Sequence, residues 1–221
     1  MTFITDLEKS FSGNAAAEIA LPMEAYMKNL FSYYGIKATS RKAITKEIWK
    51  QHKEEVALKA REIGWELFNK DKRELHYVAI EILEKELKNK YLKEDIALIE
   101  KVITTNSWWD TVDFLAKYLL GNYLIQYPEA IPAVTTAFSD SENMWLNRSA
   151  ILFQLGYKSK TDAALLFSLC RKHAESKEFF IQKAIGWALR EYAKTNPEAV
   201  KTFVAATTLK PLSKREALKN L

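Results

Sequence analysis

The chain has 221 residues, 48% of them hydrophobic and 28% charged, which excludes a disordered or low-complexity chain and leaves room for one sizeable core. A formal net charge of +5 favours a polyanionic partner without requiring one. The single cysteine, Cys170, excludes an intrachain disulfide and points to a reducing compartment. The opening M-T-F-I-T-D-L-E-K is too acidic for a signal peptide. No apolar run is long enough to span a bilayer, so a cytoplasmic, soluble protein with no membrane partner is expected.

In chain order, apolar residues recur at helical spacing almost throughout. Met27, Leu30, Phe31 and Tyr34 predict an early helix that stops at Gly35. Ser40 is a candidate cap for the next, with Arg41 and Lys42 in its first turn. Gly64 and the turn Asn69-Lys70-Asp71 read as further stops, before a helix carrying Val78, Ile82 and Leu83. Ser107-Trp108-Trp109-Asp110 has the form of a capping box. Gly121 and Pro128 are expected to end the helix that follows. Ile151, Leu152 and Leu155 mark another, closed by Gly156. Thr161 and Ser176 are plausible caps, Ile181, Ile185 and Leu189 form an apolar stripe, and Pro197 and Pro211 read as breaks. Ser213-Lys214-Arg215-Glu216 is a second capping box. No strand-like alternation is found, so the expected fold is all-α, about a dozen helices with short links and no internal linker, in one domain over residues 1–221.

Trp109 and Arg148 are 39 positions apart, and so are Arg148 and Trp187. Repeats of ~40 residues are typical of HEAT and armadillo units, so antiparallel helix pairs stacked into a superhelical solenoid are expected. Phe114, Phe153 and Tyr192 keep a loose register with the same interval. In such a solenoid equivalent positions line one surface, so Trp109, Arg148 and Trp187 should form a row. Asp113, four residues after Trp109, falls on the same helical face one turn on.

These residues carry a resemblance. N-S-W-W-D-T-V-D (106–113), M-W-L-N-R-S-A-I-L-F-Q-L (144–155) and F-F-I-Q-K-A-I-G-W-A-L-R-E-Y-A-K-T-N-P (179–197) resemble signature segments of the AlkD family, bacterial HEAT-like-repeat DNA glycosylases that remove alkylated bases. Met23 to Asn29 and Pro211 to Ala217 extend the likeness to both ends, while residues 50–100 match mainly in pattern. The resemblance implies Asp113, Trp109 and Trp187 as the catalytic constellation, Arg148 as a holder of the DNA backbone, and Tyr26 as an aromatic near the bound duplex. It also implies a monofunctional enzyme of base-excision repair.

The chemistry suits the residue types. A purine alkylated on a ring nitrogen, such as 3-methyladenine or 7-methylguanine, is already cationic and leaves as a neutral base. One carboxylate can then suffice where ordinary glycoside hydrolysis uses two. Asp113 would stabilise the oxocarbenium ion on the deoxyribose and orient the attacking water, with the two indoles packed on the sugar. The family is thought to act without a base pocket, which would tolerate bulky adducts. Arg41, Lys42, Lys158, Lys160, Lys183, Arg190, Lys214 and Arg215 are the candidate phosphate contacts.

Taken one at a time, the same residues have plainer readings. An aromatic at helical spacing usually packs, and Trp49, Trp65, Trp108 and Trp145 are read so. Asp110 reads as a cap, and Arg148 alone as a surface ion-pair residue. His52, His76 and His173 form no metal-ligand pattern with Cys170, itself a small buried residue, and phosphate-loop and G-x-G-x-x-G patterns are missing. No metal or cofactor is therefore expected. Double-stranded DNA is the expected partner and a monomer the expected state. A non-catalytic nucleic-acid binder and a protein-binding scaffold stand as alternatives.

Overall fold

A computed structural model describes residues 2–219 and 221. The fold is all-α, and the described residues contain no strand, only an isolated bridge between Ser32 and Lys72. No helix among them is long and apolar enough to cross a membrane. Two compact units divide the chain, Met1–Lys90 and Tyr91–Leu221.

The first unit holds α1 (Phe3–Gly13), α2 (Ala17–Tyr26), α3 (Ala38–Gln51), α4 (Lys53–Leu58), α5 (Ala60–Phe68) and α6 (Arg73–Leu87). Helix α1 packs on α3, and α5 on α6. Phe3, Leu7 and Phe11 are fully buried, as are Leu67, Phe68, Val78, Ile82 and Leu83. Each such side chain contributes ~1.5–3 kcal/mol by leaving water. Gly64, expected to stop a helix, lies inside α5, where a Cβ would sit 2.6 Å from Leu83; its missing side chain admits α6. The helix expected over Met27 to Tyr34 is also corrected. Helix α2 ends at Tyr26, and Lys28 and Asn29 take left-handed φ values of 58° and 57°. The loop that follows is pinned by buried Glu74, whose carboxylate accepts from the amides of Tyr34, Gly35 and Ile36 at 3.0, 2.9 and 3.1 Å. Gly35 has φ 87°, and a Cβ there would meet the Ala16 carbonyl oxygen at 2.1 Å, so only glycine fits.

The second unit holds α7 (Asp95–Thr104), α8 (Trp109–Phe114), a π-helical segment (Leu115–Leu120), α9 (Gly121–Gln126), α10 (Ile131–Asp140), α11 (Met144–Leu152), α12 (Ala163–Lys172), α13 (Phe179–Ala193), α14 (Pro197–Ala206) and α15 (Pro211–Ala217). Short 3-10 turns occupy Pro128–Ala130 and Lys158–Lys160. Ile151 and Leu152 of α11, Ile181, Ile185 and Leu189 of α13, and Val200 and Phe203 of α14 share one core, which also encloses Cys170 and pushes its thiol pKa up by burial. Helix α11 touches both α8 and α13. The residues spaced at 39 thus fall on three helices packed in chain order, as stacked repeats require.

Several helix ends differ from expectation. Gly121 does not end its helix: α8, the π segment and α9 run on without a break, and a Cβ at Gly121 would come 2.7 Å from the Phe153 carbonyl oxygen. Pro197 and Pro211 begin helices, at the position where a missing N–H costs nothing. Neither capping box forms. The Ser107 hydroxyl donates back to the Ile103 carbonyl at 2.6 Å, and buried Ser213 donates to the Gln182 carbonyl at 3.1 Å. Asn143, Asp162 and Asn196 supply side-chain caps in this unit. Ser40 lies inside α3. Thr161 gives way to its neighbour Asp162, and Ser176 accepts from the amide of Glu178, the residue before α13.

Candidate active site

Asp113 sits at the end of α8, one turn after Trp109, and both side chains are half-buried. From α11, Arg148 reaches across to it. Arg148 Nε donates to Asp113 Oδ1 at 2.6 Å and Nη2 to Oδ2 at 2.9 Å, a bidentate fork. Nη1 donates to the carbonyl of Phe180 in the first turn of α13. Three successive repeat helices therefore meet at one guanidinium, whose side chain is 5% exposed against 14% for Asp113.

Two effects oppose each other at Asp113. Burial raises its pKa and is the largest influence; the hydrogen bonds and charge of Arg148 lower it, Asp110 adds a small rise, and the net direction is upward. The carboxylate is thus a partly desolvated anion held by one cation, and its field reaches further than that of a hydrated surface aspartate.

Behind the pair lies an aromatic group. Phe180 packs on Trp108 at 5.2 Å and on Trp145 at 5.1 Å, the two indoles are 5.9 Å apart, and the Arg148 guanidinium lies 5.9 Å from the Phe180 ring. Trp108 and Trp145 are packing residues, as the sequence suggested. Trp187 is half-buried on α13 against the shared core, two helical turns beyond Phe180.

The predicted cations fall into two groups. Lys42, Lys158, Lys160, Lys214 and Arg215 are exposed. The others are committed within the protein. Arg148, expected at the DNA backbone, is 4% exposed and holds Asp113. Arg41 is 7% exposed, pairs with Glu81 at 2.8 Å and lies over the Tyr77 ring. Lys183 and Arg190, one turn either side of Trp187, both bind Glu216 of α15, at 3.1 and 2.8 Å, and hold its carboxyl down at about 2. Sequence reads a cation but not the anion that folding brings to it. Tyr26 is 68% exposed, and it belongs with Arg41 and Lys42 to the first unit.

Two features of the site had no sequence signal. The Phe180 carbonyl is a backbone group, invisible to residue type. The π-helical segment Leu115–Leu120 begins two residues after Asp113, with the Gly121 amide donating to Ala116; such segments recur at functional sites. The histidines serve packing and polar contacts: His52 bridges Asp6 and Glu55, His76 bonds the Lys70 carbonyl and Arg73, and His173 meets the Ser139 hydroxyl at 2.8 Å. A cavity of about 250 Å³ in this unit is lined by Gln154, Thr161, Tyr192 and neighbours, and by none of Trp109, Asp113, Arg148 or Trp187.

Residues 7–221 match the family described as DNA alkylation repair enzyme. A solved structure described as a predicted DNA alkylation repair enzyme from Enterococcus faecalis is similar at 35% identity and a TM-score of 0.84, covering 94% of this chain and 96% of its own. The smu.31 protein from Streptococcus mutans UA159, at 17% identity and a TM-score of 0.59, covers 82% of this chain and 97% of its own and shares the fold. No curated protein matches. With residues 7–221 matched, and with a 35% identical structure covering 94% of the chain, the chain belongs to the DNA alkylation repair enzyme family.

Proposed function

We propose that the chain is a monofunctional DNA glycosylase of base-excision repair, of the AlkD type, hydrolysing the N-glycosidic bond of cationic alkylated purines such as 3-methyladenine and 7-methylguanine in duplex DNA. The observation that carries this reading is the half-buried Asp113 carboxylate, gripped by Arg148 one helical turn from Trp109. In this reading Asp113 is the fixed anion that favours the sugar as it becomes an oxocarbenium ion, and that favour grows from ground state to transition state. The carboxylate lone pairs that the Arg148 fork leaves over orient the attacking water and take its proton. Trp109 and Trp187 pack on the deoxyribose. The alkylated base leaves neutral, so no general acid is needed and no cofactor is invoked.

Arg148 has a particular part in this scheme. Arg148 opposes the rise in pKa that burial imposes on this carboxylate, and so favours the charge that the reaction uses. The bidentate fork keeps the anion and fixes the plane of the carboxylate. The exposed Lys42, Lys158, Lys160, Lys214 and Arg215, with Tyr26, are the proposed contacts to duplex DNA, and the protein is proposed to act as a cytoplasmic monomer formed by the whole chain.

Release of free base from a duplex carrying 7-methylguanine tests the proposal directly. Wild-type protein should release it in a single-turnover assay, and Asp113→Asn should not do so at a comparable rate. Folded wild-type protein that binds the duplex and leaves the base attached would overturn the glycosylase reading in favour of non-catalytic recognition.

A further inference from the structure

We infer that Phe179 is a further DNA-contacting residue of this site, a stacking surface for a nucleobase exposed where the duplex is opened at the lesion. The inference rests on the reading of the protein as acting on alkylated duplex DNA, and it adds a residue and a contact that this reading does not contain.

Phe179 is 57% exposed, although it is one of the largest apolar side chains in the second unit. It is not loosely displayed. Its ring packs edge-on against Phe180 at 5.4 Å, and Phe180 is itself wedged against Trp108 and Trp145 at 5.2 and 5.1 Å. The exposed ring is thus braced by Phe180, which Trp108 and Trp145 hold in turn, so little side-chain freedom is lost on contact. The carbonyl of the adjacent residue, Phe180, accepts from Arg148, which holds Asp113. The exposed ring is therefore one residue from the network that fixes the carboxylate.

Helix geometry adds an independent argument. Phe179, Lys183 and Trp187 are spaced i, i+4, i+8 on α13, one stripe of that helix. The opposite side carries Ile181, Ala184, Ile185, Ala188 and Leu189, all in the core. Trp109 and Asp113 repeat the i, i+4 spacing on α8. Phe179 thus begins the run of i, i+4 positions that carries Lys183 and Trp187. Every nucleobase has a flat π face, and stacking on a protein aromatic tolerates any of the four. That suits an enzyme whose lesions occur in any sequence context.

The test uses a duplex with a stable abasic analogue opposite 2-aminopurine, bound by wild type and by Phe179→Ala, Phe179→Leu and Phe179→Trp. Phe179→Ala and Phe179→Leu should each weaken binding about tenfold or more, as loss of one stacked base does, while Phe179→Trp binds as wild type does. Wild type and Phe179→Trp should also change 2-aminopurine fluorescence, and the other two should not. Equal binding and equal fluorescence for wild type and Phe179→Leu would overturn the inference, as would a loss that Phe179→Trp fails to restore. Release of 7-methylguanine by wild type is measured in parallel. Its absence tells against the glycosylase reading alone, since the binding and fluorescence arms need no excision.

Discussion

Replacing Arg148 with glutamine separates two roles for that residue. Arg148 makes two charge-assisted hydrogen bonds to Asp113, at 2.6 and 2.9 Å, and a third to the Phe180 carbonyl. Each such bond contributes ~1.5–3 kcal/mol, and breaking one side of a buried ion pair costs ~3–5 kcal/mol because the remaining charge is stranded. For a chain of this size that corresponds to a fall in Tm on the order of 10 °C. Burial already raises the pKa of Asp113 and Arg148 opposes the rise, so Arg148→Gln moves it further up. If the reaction uses the anion, the rate falls as pH drops through that pKa. The acid limb of the single-turnover pH profile must then move to higher pH in the variant, so that alkaline pH restores part of the lost rate. The double variant Asp113→Asn/Arg148→Gln should regain part of the lost stability, since no charge is left unpaired. A role confined to gripping phosphate predicts something else: weaker binding, a shallower salt dependence and an acid limb that stays in place. An unmoved acid limb in Arg148→Gln refutes the argument that Arg148 acts through Asp113.

Other expectations follow from single contacts. Asp113→Asn should cut the single-turnover rate by about a hundredfold or more while duplex affinity changes little; a similar loss in affinity would make its role one of binding. Gly186→Val should destabilise the fold by ~1–3 kcal/mol in denaturant unfolding, because even a Cβ there sits 2.4 Å from Glu216 Cβ and 3.0 Å from the Ser213 carbonyl oxygen. Glu74→Gln should cost ~1–3 kcal/mol by turning a donor toward amides that need an acceptor, and a neutral result would show that the loop has another anchor. Glu216, its pKa depressed to about 2 by Arg190 and Lys183, lends stability that is complete above its ordinary value near 4.5 and is lost as pH falls from there toward about 2. The gap between wild type and Glu216→Gln in unfolding free energy should therefore close over that interval.

The helices and the 39-residue interval were legible because burial imposes a period on apolar residues wherever a helix meets a core. Helix ends were read less well, and for a physical reason. Glycine serves two purposes: Gly35 supplies a left-handed turn, while Gly64 and Gly121 let another segment approach, and sequence does not distinguish them. Proline likewise begins α14 and α15 where it was read as a break. The apolar spacing from Met27 to Tyr34 imitates a helix, yet Lys28 and Asn29 reverse the chain and Glu74, 39 or so positions away, draws the next amides to itself. The site residues were named from the motifs around them, but their partners were not. Nothing local to Arg148, Lys183 or Arg190 reveals the carboxylate that folding delivers, because those carboxylates lie 35, 33 and 26 positions distant.

The π-helical segment after Asp113 ties the two ends of one continuous helix to different neighbours. The start of that helix must aim Asp113 at Arg148 of α11. Its later part must bring Gly121 against the chain that leaves α11, where a Cβ would meet the Phe153 carbonyl oxygen at 2.7 Å and where Tyr157 donates its hydroxyl to the Gly121 carbonyl at 2.6 Å. Each residue of a regular α-helix turns the direction of the next by about 100°. A regular helix satisfying the first demand would carry Gly121 off the Phe153–Tyr157 contact, and one satisfying the second would rotate Asp113 off the guanidinium. One extra residue accommodated over Leu115–Leu120 reconciles them. The wide turn beside the carboxylate is thus a consequence of holding the charge pair and the close helix contact at once, which is why it lies directly beyond the residue on which the proposed chemistry depends.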